Sequence, residues 1–323
     1  MTAGSANAMP ATGRALPQFD RDGTLRETAA KEAMRSISIE YPKQTAIMQR
    51  IEALRLSTLG VRGIPLPGLR LSQVSQAGKT KTFQSYITDL KARTQLEAGR
   101  VNPRQVVYLG LKRRITVKML YQRLLAELGD PHPEKGNLET LVQRAEEFLQ
   151  RLEVELLIVD EVQHLANGRT DSGEVTDELK SFLDQGLVPV VFAGNEESRP
   201  FFEENSQLSA RLGTPLELTP TDASAKAEAQ MFKQFCIQLD QAITASGAVR
   251  QPSNFGSKEV LQGLLVSSSG HIGRVCRLVG AALEHAARRD ADLVEIYDLS
   301  YAVEHLALPS RWATRNPFGK GAR

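Results

Sequence analysis

Four short apolar runs divide the middle of the chain: LRLSQV, RQVVYLGL, VELLIVDE and VPVVFAGN. Longer segments alternate with them, and there apolar residues recur every three or four positions, as in ITVKMLYQRLLAELG and LETLVQRAEEFLQRL. The short runs are typical of buried strands, and the longer spacing is typical of amphipathic helices. Strands that are apolar on both faces occur in parallel sheets covered by helices, so the pattern predicts an α/β domain.

A second pattern begins near residue 220, after the polar connector ELTPTD. From there to residue 307 every apolar segment has helical spacing and no strand is evident, so we expect a small all-helical domain over residues 221–307. Residues 37–220 are predicted to form the α/β domain. Residues 1–36 are predicted to form a mobile N-terminal arm with a short helix near its end, and residues 308–323 a basic C-terminal tail.

Composition narrows the class of protein. The chain has 323 residues, of which 41% are apolar and 24% charged, and this balance is that of a globular protein. The net charge is +2, so any basic surface for a nucleic acid has to be local. We expect Cys236 and Cys276 to fill apolar space in a reducing cytoplasm. No apolar run reaches the roughly 18 residues of a membrane span, so we expect neither secretion nor a membrane partner.

The first chemical signal is Gly78, Lys79 and Thr80, between a predicted strand and a predicted helix. In a P-loop at this position, backbone N–H groups bind phosphate oxygens, the lysine reaches the β and γ phosphates, and the threonine hydroxyl binds Mg²⁺. The full pattern has a glycine five residues before Gly78, where this chain has Gln73. A Gly-Lys-Thr triplet by itself also occurs by chance, so this motif needs support from elsewhere in the chain.

That support comes from the strand VELLIVDE, which ends in Asp160 and Glu161. The carboxyl ends of parallel strands lie beside the phosphate loop, where Asp160 would hold Mg²⁺ and Glu161 would orient or deprotonate an attacking water. The alternative is a strand that simply leads into an acidic helix cap. With Gly-Lys-Thr upstream, we favour the catalytic interpretation.

Further polar residues follow the remaining strand and begin the last long helix. Asn195 ends VPVVFAGN, where it would polarise the same water or serve as a turn residue. Arg211 is predicted to reach the γ-phosphate held by a neighbouring subunit, with a surface ion pair as the alternative and Arg199 as a rival. In the helical domain, Arg274 and Arg277 of GHIGRVCRL would contact a nucleotide held between the domains or remain solvated.

The order of these motifs resembles that of the AAA+ ATPases, and within them the TniB/TnsC group of transposition regulators. The resemblance rests on LYQRLLAELGDP, VELLIVDEVQHL, VPVVFAGN, QLSARL, GHIGRV and a late NPF, and it extends over roughly residues 41 to 318. It implies a three-layer AAA+ P-loop base with a parallel sheet, followed by a helical lid. In the common sensor 2 pattern GxxR, Gly273 stands where the arginine is expected, and Arg274 follows one residue later.

The resemblance also assigns roles to the candidate residues. Lys79 and Thr80 match the Walker A positions, and Asp160 and Glu161 match Walker B. In the same way, Asn195 matches sensor 1 and Arg211 the arginine finger, which acts on a nucleotide bound by the next subunit. ATP and Mg²⁺ are the implied cofactors, with Thr80 and Asp160 as the metal ligands. Hydrolysis is expected to be slow and stimulated by DNA.

The function implied by the resemblance is an ATP-dependent ring or filament of identical subunits on double-stranded DNA in the bacterial cytoplasm. The implied partners are a DDE transposase and a TniQ-like target-selection protein. The candidate DNA contact is LKRRITVK, with Lys112, Arg113, Arg114 and Lys118. No base-reading motif is evident, so binding should follow the phosphate backbone and weaken with salt. The alternative for these four residues is a solvated charged turn.

Two other functions remain open at this point. One is a nucleotide-gated scaffold that holds ATP with little or no turnover and only recruits partners. The other is an AAA+ ATPase of secretion or defence that does not bind DNA. Phosphate release with and without DNA, and a salt-dependent DNA shift, would separate the three hypotheses.

Overall fold

A computed structural model of the protein describes residues 20–99, 101–112, 115–165, 171–203 and 206–319. Its sheet has four strands: β1 (Gly68–Ser72), β2 (Val106–Gly110), β3 (Leu156–Asp160) and β4 (Val190–Gly194). All pairings are parallel and the spatial order is β1-β4-β3-β2. Each of the four apolar runs therefore forms a strand, and the predicted parallel sheet is confirmed.

Helices cover both faces of this sheet, which makes three layers. The helices before residue 220 are α1 (Arg21–Ser36), α2 (Pro42–Ser57), α3 (Lys79–Ala98), α4 (Val117–Leu128), α5 (Leu138–Arg151), α6 (Asp171–Asp184), α7 (Ser198–Glu203) and α8 (Ser206–Arg211). Alternate strand residues point to opposite faces. Leu71 and Ile158 pack with α2 and α3 in one core, whereas Leu109 and Phe192 pack with α4, α5 and α6 in the other.

A fifth extended segment runs beside β1, which the sequence analysis did not predict. Leu212 and Leu216 form isolated parallel bridges with Gly68 and Leu71. The backbone N–H of Leu216 donates to the carbonyl oxygen of Arg70 at 2.8 Å. This segment contains Gly213 and Pro215, which interrupt the apolar pattern that marks the other strands.

The second domain is helical, as predicted. Its helices are α9 (Lys226–Ala245), α10 (Lys258–Ser268), α11 (Ile272–Arg288) and α12 (Ile296–Ala302), and α12 continues into a π-helical turn over Val303–Ala307. One face of α11 is central to the core, with Val279, Ala282 and Leu283 fully buried. Cys236 is also fully buried there, whereas Cys276 is half-buried.

The N-terminal segment differs from the prediction of a mobile arm over residues 1–36. Helix α1 packs along α11 in the lid core, and its Ala30 is buried. The Arg26 side chain donates from Nε to the carbonyl oxygen of Ala287 at 3.1 Å. Residues 21–36 therefore belong to the folded lid, while residues 1–19 lie outside the described part of the chain. The sequence analysis missed this packing because α1 has few large apolar residues.

The C-terminal segment also folds back on the lid. Trp312 is buried, and its carbonyl oxygen accepts a hydrogen bond from Oγ of Ser269 at 2.5 Å. Asn316 donates from Nδ2 to Oγ of Ser300 at 2.8 Å, and Phe318 packs against Gly263 of α10. The described part of the predicted basic tail, up to residue 319, is therefore packed against α10 and α12.

Candidate functional site

A cavity of about 530 Å³ lies where the carboxyl edge of the sheet meets the lid. Lys79, Thr80, Glu161 and Asn195 line it from the α/β domain, and the first turn of α11 lines it from the lid. These four residues were predicted from separate parts of the sequence. The fold brings them together because β1, β3 and β4 are parallel and end at the same edge of the sheet.

The loop between β1 and α3 encloses the lysine. Gly78 has a φ of +110° immediately before Lys79, the first residue of α3. Lys79 is 5% exposed, and its Nζ atom donates to the carbonyl oxygens of Gln73 at 2.9 Å and Val74 at 3.1 Å. Burial lowers the pKa of Lys79, and the nearby Glu161, Asp160 and Glu196 carboxylates oppose this change. Gln73 does not have a positive φ, so this loop does not need glycine there.

Asp160 lies beside the lysine loop and accepts three hydrogen bonds. Its Oδ2 atom accepts from Oγ1 of Thr80 at 3.0 Å and from the Tyr108 hydroxyl at 2.6 Å, and its Oδ1 atom accepts from the backbone N–H of Glu161 at 2.9 Å. Burial and the hydrogen bond to Asp160 raise the pKa of Tyr108. Threonine and aspartate oxygens are ligands that Mg²⁺ prefers. The donor set therefore fits a magnesium ion, with Tyr108 holding the aspartate.

Glu161 has an unusual backbone conformation. Its φ of +64° lies in the left-handed region, which is uncommon for a residue other than glycine, asparagine or aspartate. It precedes a 3₁₀ turn over Val162–His164, but its side chain makes no capping hydrogen bond to that turn. The structure therefore does not support the alternative that Glu161 is a simple helix cap. Conformations of this kind cost about 1–3 kcal/mol and concentrate at functional sites.

Asn195 makes the turn interaction that was one of its two predicted roles, and its contact with the attacking water stays a prediction. Its Oδ1 atom accepts from the backbone N–H of Glu197 at 3.0 Å, which is the turn interaction expected of an asparagine after a strand. Its Nδ2 atom donates to Glu197 Oε2 at 3.2 Å, and the residue also lines the cavity. The turn therefore orients the side chain at the edge of the cavity.

Arg211 lies away from this cavity. It is at the end of α8, and the next residue, Leu212, bridges to Gly68 at the amino end of β1. The loop that holds Lys79 follows the other end of β1, about 13 Å of strand away. Nε of Arg211 pairs with Asp184 Oδ1 at 2.5 Å, which is the surface ion pair considered as its alternative. Arg211 does not line the cavity of its own subunit, and its rival Arg199 is an exposed residue of α7.

The lid contacts the phosphate loop through a glycine. A Cβ atom on Gly273 would lie 2.3 Å from the carbonyl oxygen of Gln76 and 2.7 Å from the backbone nitrogen of Gly78. The close approach of the two backbones explains why no arginine stands at this position. Arg277 lines the cavity one turn further along α11, but Arg274 does not.

Arg274 is held by the C-terminal segment. Its guanidinium lies 5.5 Å from the centre of the Trp312 ring. Burial lowers the pKa of Arg274, and the nearby Glu196 opposes this change. Within the described part of the chain, its Nε atom is buried without a hydrogen-bond partner. The predicted nucleotide contact of Arg274 therefore stays a prediction, whereas Arg277 of α11 lines the cavity.

The far side of the cavity is apolar and includes residues that the sequence analysis did not select. Ile37 and Ile39 line it from the segment after α1, and Leu239 and Ile272 line it from the lid. Arg35 adds a positive charge at the rim. An apolar compartment beside a phosphate loop fits a nucleobase. The sequence analysis missed these residues because they reach the cavity only through the packing of α1 on the lid.

The candidate DNA segment leaves the same edge of the sheet. Lys112 and Lys118 are exposed, while Arg113 and Arg114 lie outside the described residues. The two ends of the segment are anchored beside the cavity, because Leu111 donates from its backbone N–H to the Asp160 carbonyl oxygen at 3.0 Å and Ile115 donates to that of His164 at 3.3 Å.

The fold and the cavity define a P-loop protein of the AAA+ type. The family model of the bacterial TniB protein matches residues 30–220, and the chain belongs to this family. No curated protein matches the chain in sequence. Across the described residues, none of the helices has both the length and the apolar character needed to cross a bilayer.

Solved structures of two ORC proteins and one Cdc6 protein share the fold. The Aeropyrum pernix ORC1 protein in complex with DNA has a TM-score of 0.63 at 17% identity, covering 85% of this chain and 69% of that one. Cdc6p from Pyrobaculum aerophilum has a TM-score of 0.61 at 14% identity, covering 85% and 71%. The Aeropyrum pernix ORC2 protein in its ADPNP–ADP complexes has a TM-score of 0.58 at 13% identity, covering 84% and 71%. At these identities the likeness concerns the fold alone.

Proposed function

We propose that this protein is an ATP-dependent, DNA-binding regulator of transposition that assembles on duplex target DNA and recruits or activates a DDE transposase. The observation that carries the proposal is the cavity, which is lined by the buried Lys79, the Glu161 carboxylate and apolar residues of the lid. Asp160 is hydrogen-bonded to Thr80, which also lines the cavity. The charged part of the cavity suits phosphates and the apolar part suits a base. A nucleoside triphosphate would fill both parts, whereas a smaller ligand would fill only one.

Different residues bind the phosphates, the metal ion, the attacking water and the base of ATP. Lys79 and the N-terminus of α3 bind the phosphates, and Thr80 and Asp160 hold Mg²⁺. When bound, the ion neutralises charge that develops on the phosphate oxygens. Glu161 orients the attacking water and accepts its proton, and Asn195 polarises the same water. The adenine occupies the apolar compartment.

Hydrolysis in this proposal needs a second subunit. Arg211 is on the edge of the sheet opposite the phosphate loop, so it serves the γ-phosphate held by the adjacent copy of the chain. A ring or helical filament places every Arg211 in this position. The reaction is slow until DNA aligns the subunits, which is why we expect stimulation by DNA.

The DNA contact is proposed for Lys112, Arg113, Arg114 and Lys118. Support comes from the membership of the TniB family, from the exposure of Lys112 and Lys118, and from the fold shared with an ORC1 protein that is described in complex with DNA. Repeated along a filament, these cations follow the phosphate backbone. A TniQ-like protein would select the target, and the protein would act on DNA in the bacterial cytoplasm.

The ATPase proposal is tested by Glu161→Gln. Phosphate release is expected to fall by at least a hundredfold, because the amide cannot accept the proton from water, while the affinity for ATP stays within about threefold. Nucleotide binding is measured by titration calorimetry on the same samples. Unchanged phosphate release in the variant would remove Glu161 from the mechanism. A wild-type protein that binds ATP without any release of phosphate would favour the scaffold hypothesis.

The DNA proposal is tested by reversing the charge of Lys112, Arg113 and Arg114 to Glu. Duplex affinity is expected to fall at least a hundredfold at 0.1 M salt, with ATP affinity unchanged, because several phosphate contacts are lost together. The matched control reverses three exposed lysines of the lid, Lys226, Lys233 and Lys258. Equal losses of affinity in the two triple variants would show that only net charge matters and would contradict this interface.

A further inference from the structure

One buried side chain connects Glu161 and the Asn195 turn. Gln163 lies in the 3₁₀ turn after β3 and is 7% exposed. Its Nε2 atom donates a hydrogen bond to Oε2 of Glu161, and its Oε1 atom accepts from the backbone N–H of Asn195 at 3.1 Å. A single amide therefore contacts the group proposed to activate water and the loop that carries the second water-binding group.

The space around this amide is shaped to hold it. A Cβ atom on Gly194 would lie 2.8 Å from Oε1 of Gln163 and 2.6 Å from Oγ of Ser198, so glycine is required where the amide meets β4. Ser198 Oγ in turn donates to the carbonyl oxygen of Asn195 at 2.6 Å and lies 2.9 Å from Oγ of Ser72. Short contacts thus connect the ends of β3, β4 and β1.

The hydrogen bond to Glu161 has a chemical consequence. A general base must present its carboxylate to the attacking water within hydrogen-bonding distance, and small errors of placement reduce the rate strongly. Glu161 has a left-handed backbone and no capping contact, so the cap does not hold its carboxylate. The amide of Gln163 fixes one carboxylate oxygen and leaves the other for water.

We propose that Gln163 is a positioning residue that holds the Glu161 carboxylate and the Asn195 turn as one unit. This inference rests on the proposed ATPase function. Gln163 does not contact the nucleotide in this scheme. It sets the distance between the two groups that bind the water, so its loss should reduce kcat and leave ATP affinity intact.

The first test is Gln163→Met, which keeps the length of the side chain and removes both hydrogen bonds. We expect kcat for phosphate release to fall roughly ten- to a hundredfold, with KM for ATP within about twofold, because Lys79 and the lid are unchanged. Gln163→Glu adds a second carboxylate beside Glu161. The added carboxylate cannot donate to Glu161 and repels it, so kcat should fall at least as far as in Gln163→Met.

The matched control is Gln105→Met at the opposite edge of the sheet. Gln105 is half-buried and also joins a carboxylate to a second group: Nε2 donates to Glu155 Oε2 at 2.9 Å, and Oε1 accepts from Thr94 Oγ1 at 3.2 Å. This variant loses the same two hydrogen bonds at a place away from the cavity, so kcat should stay at the wild-type value. Equal effects of the two substitutions on kcat would mean that Gln163 acts only through stability, and an unchanged kcat in Gln163→Met would also overturn the proposal.

A second measurement does not depend on turnover. The backbone N–H of Asn195 donates to Gln163, so hydrogen exchange at this amide should be at least tenfold faster in Gln163→Met and unchanged in Gln105→Met. If the wild-type protein releases no phosphate, the ATPase proposal fails, and the exchange rate at Asn195 still decides whether Gln163 holds this turn. Unchanged exchange at Asn195 in Gln163→Met would overturn the positioning role.

Discussion

Charged side chains lie at both edges of the central sheet, but the groups that pair with them differ between the two edges. At the amino edge, Arg55 pairs with Glu52 at 2.8 Å and with Glu155, so opposite charges cancel each other. At the carboxyl edge, Lys79 is bonded to carbonyl oxygens and Asp160 to hydroxyl and N–H groups. Among the described residues, no ion pair within 4.0 Å joins Lys79 to an acid.

The difference shows which edge is built for a ligand. A cation and an anion that face each other stabilise the fold, but as a pair they attract a charged ligand only weakly. A charge that is held by neutral dipoles keeps its attraction for an incoming group of the opposite sign. In the proposed function the lysine at the carboxyl edge therefore binds phosphate and the aspartate holds Mg²⁺, whereas the amino edge joins α2 to the sheet.

The largest expected effect is a loss of stability when the ion pairs at the amino edge are broken. Arg55→Met leaves Glu52 buried without its main partner, so the free energy of unfolding should fall by about 3–5 kcal/mol. Urea denaturation measures the change. The control is Arg250→Met, which removes an exposed arginine that also pairs with two carboxylates, of Asp290 and Asp292, and should change stability little. Equal losses in the two variants would contradict the structural role of the amino edge.

Acid should weaken the same edge. Arg55 holds the pKa of Glu52 at about 2, below its ordinary value of 4.5, with further hydrogen bonds from Tyr86 and Arg93. A lowered pKa in the folded state stabilises the fold above pH 4.5, and this contribution is lost as the pH falls toward 2. Tyr86 and Arg93 remain in the variant, so the stability difference between wild type and Arg55→Met should shrink by at most about 3 kcal/mol over this range. A difference that stays constant from pH 5 to pH 2 would contradict the pairing.

At the carboxyl edge, Lys79→Met should separate binding from stability. ATP affinity is expected to fall at least a hundredfold, about 2.7 kcal/mol, because the ammonium is the main cation facing the phosphates. The free energy of unfolding should not fall, since a buried ammonium that is bonded only to carbonyl groups is replaced by an apolar chain of similar length. Calorimetric titration and urea denaturation measure the two effects, with the exposed Lys91→Met as control. A marked loss of stability without a loss of ATP affinity would reverse our distinction between the edges.

The smallest predicted effect is that of Tyr108→Phe. This substitution removes one of three hydrogen bonds to Asp160 and leaves the ring in place. The concentration of Mg²⁺ needed for half-maximal phosphate release should rise about tenfold, since a hydrogen bond to a charged group contributes roughly 1.5 kcal/mol. A magnesium requirement equal to that of wild type would show that Thr80 and the Glu161 N–H hold Asp160 without Tyr108.

The predicted site residues differ in how well they could be found from sequence. Lys79, Thr80, Asp160, Glu161 and Asn195 each follow an apolar run within a few residues, so a local pattern identifies them. Tyr108 and Gln163 are equally close to Asp160 and Glu161, but their partners are across the sheet or around a turn. Their only sequence signal is a polar group near the end of a strand, which many structural residues share.

The sequence alone determined the succession of the four strands and the main helices along the chain, because apolar spacing reflects which faces of each element are buried. It also determined which chemical groups follow each strand. Only the tertiary structure decided that α1 belongs to the lid, that Gly273 lies against the phosphate loop, and that Arg211 is at the edge opposite Lys79. These features depend on contacts between residues far apart in the chain, and such contacts leave no periodic trace in the sequence.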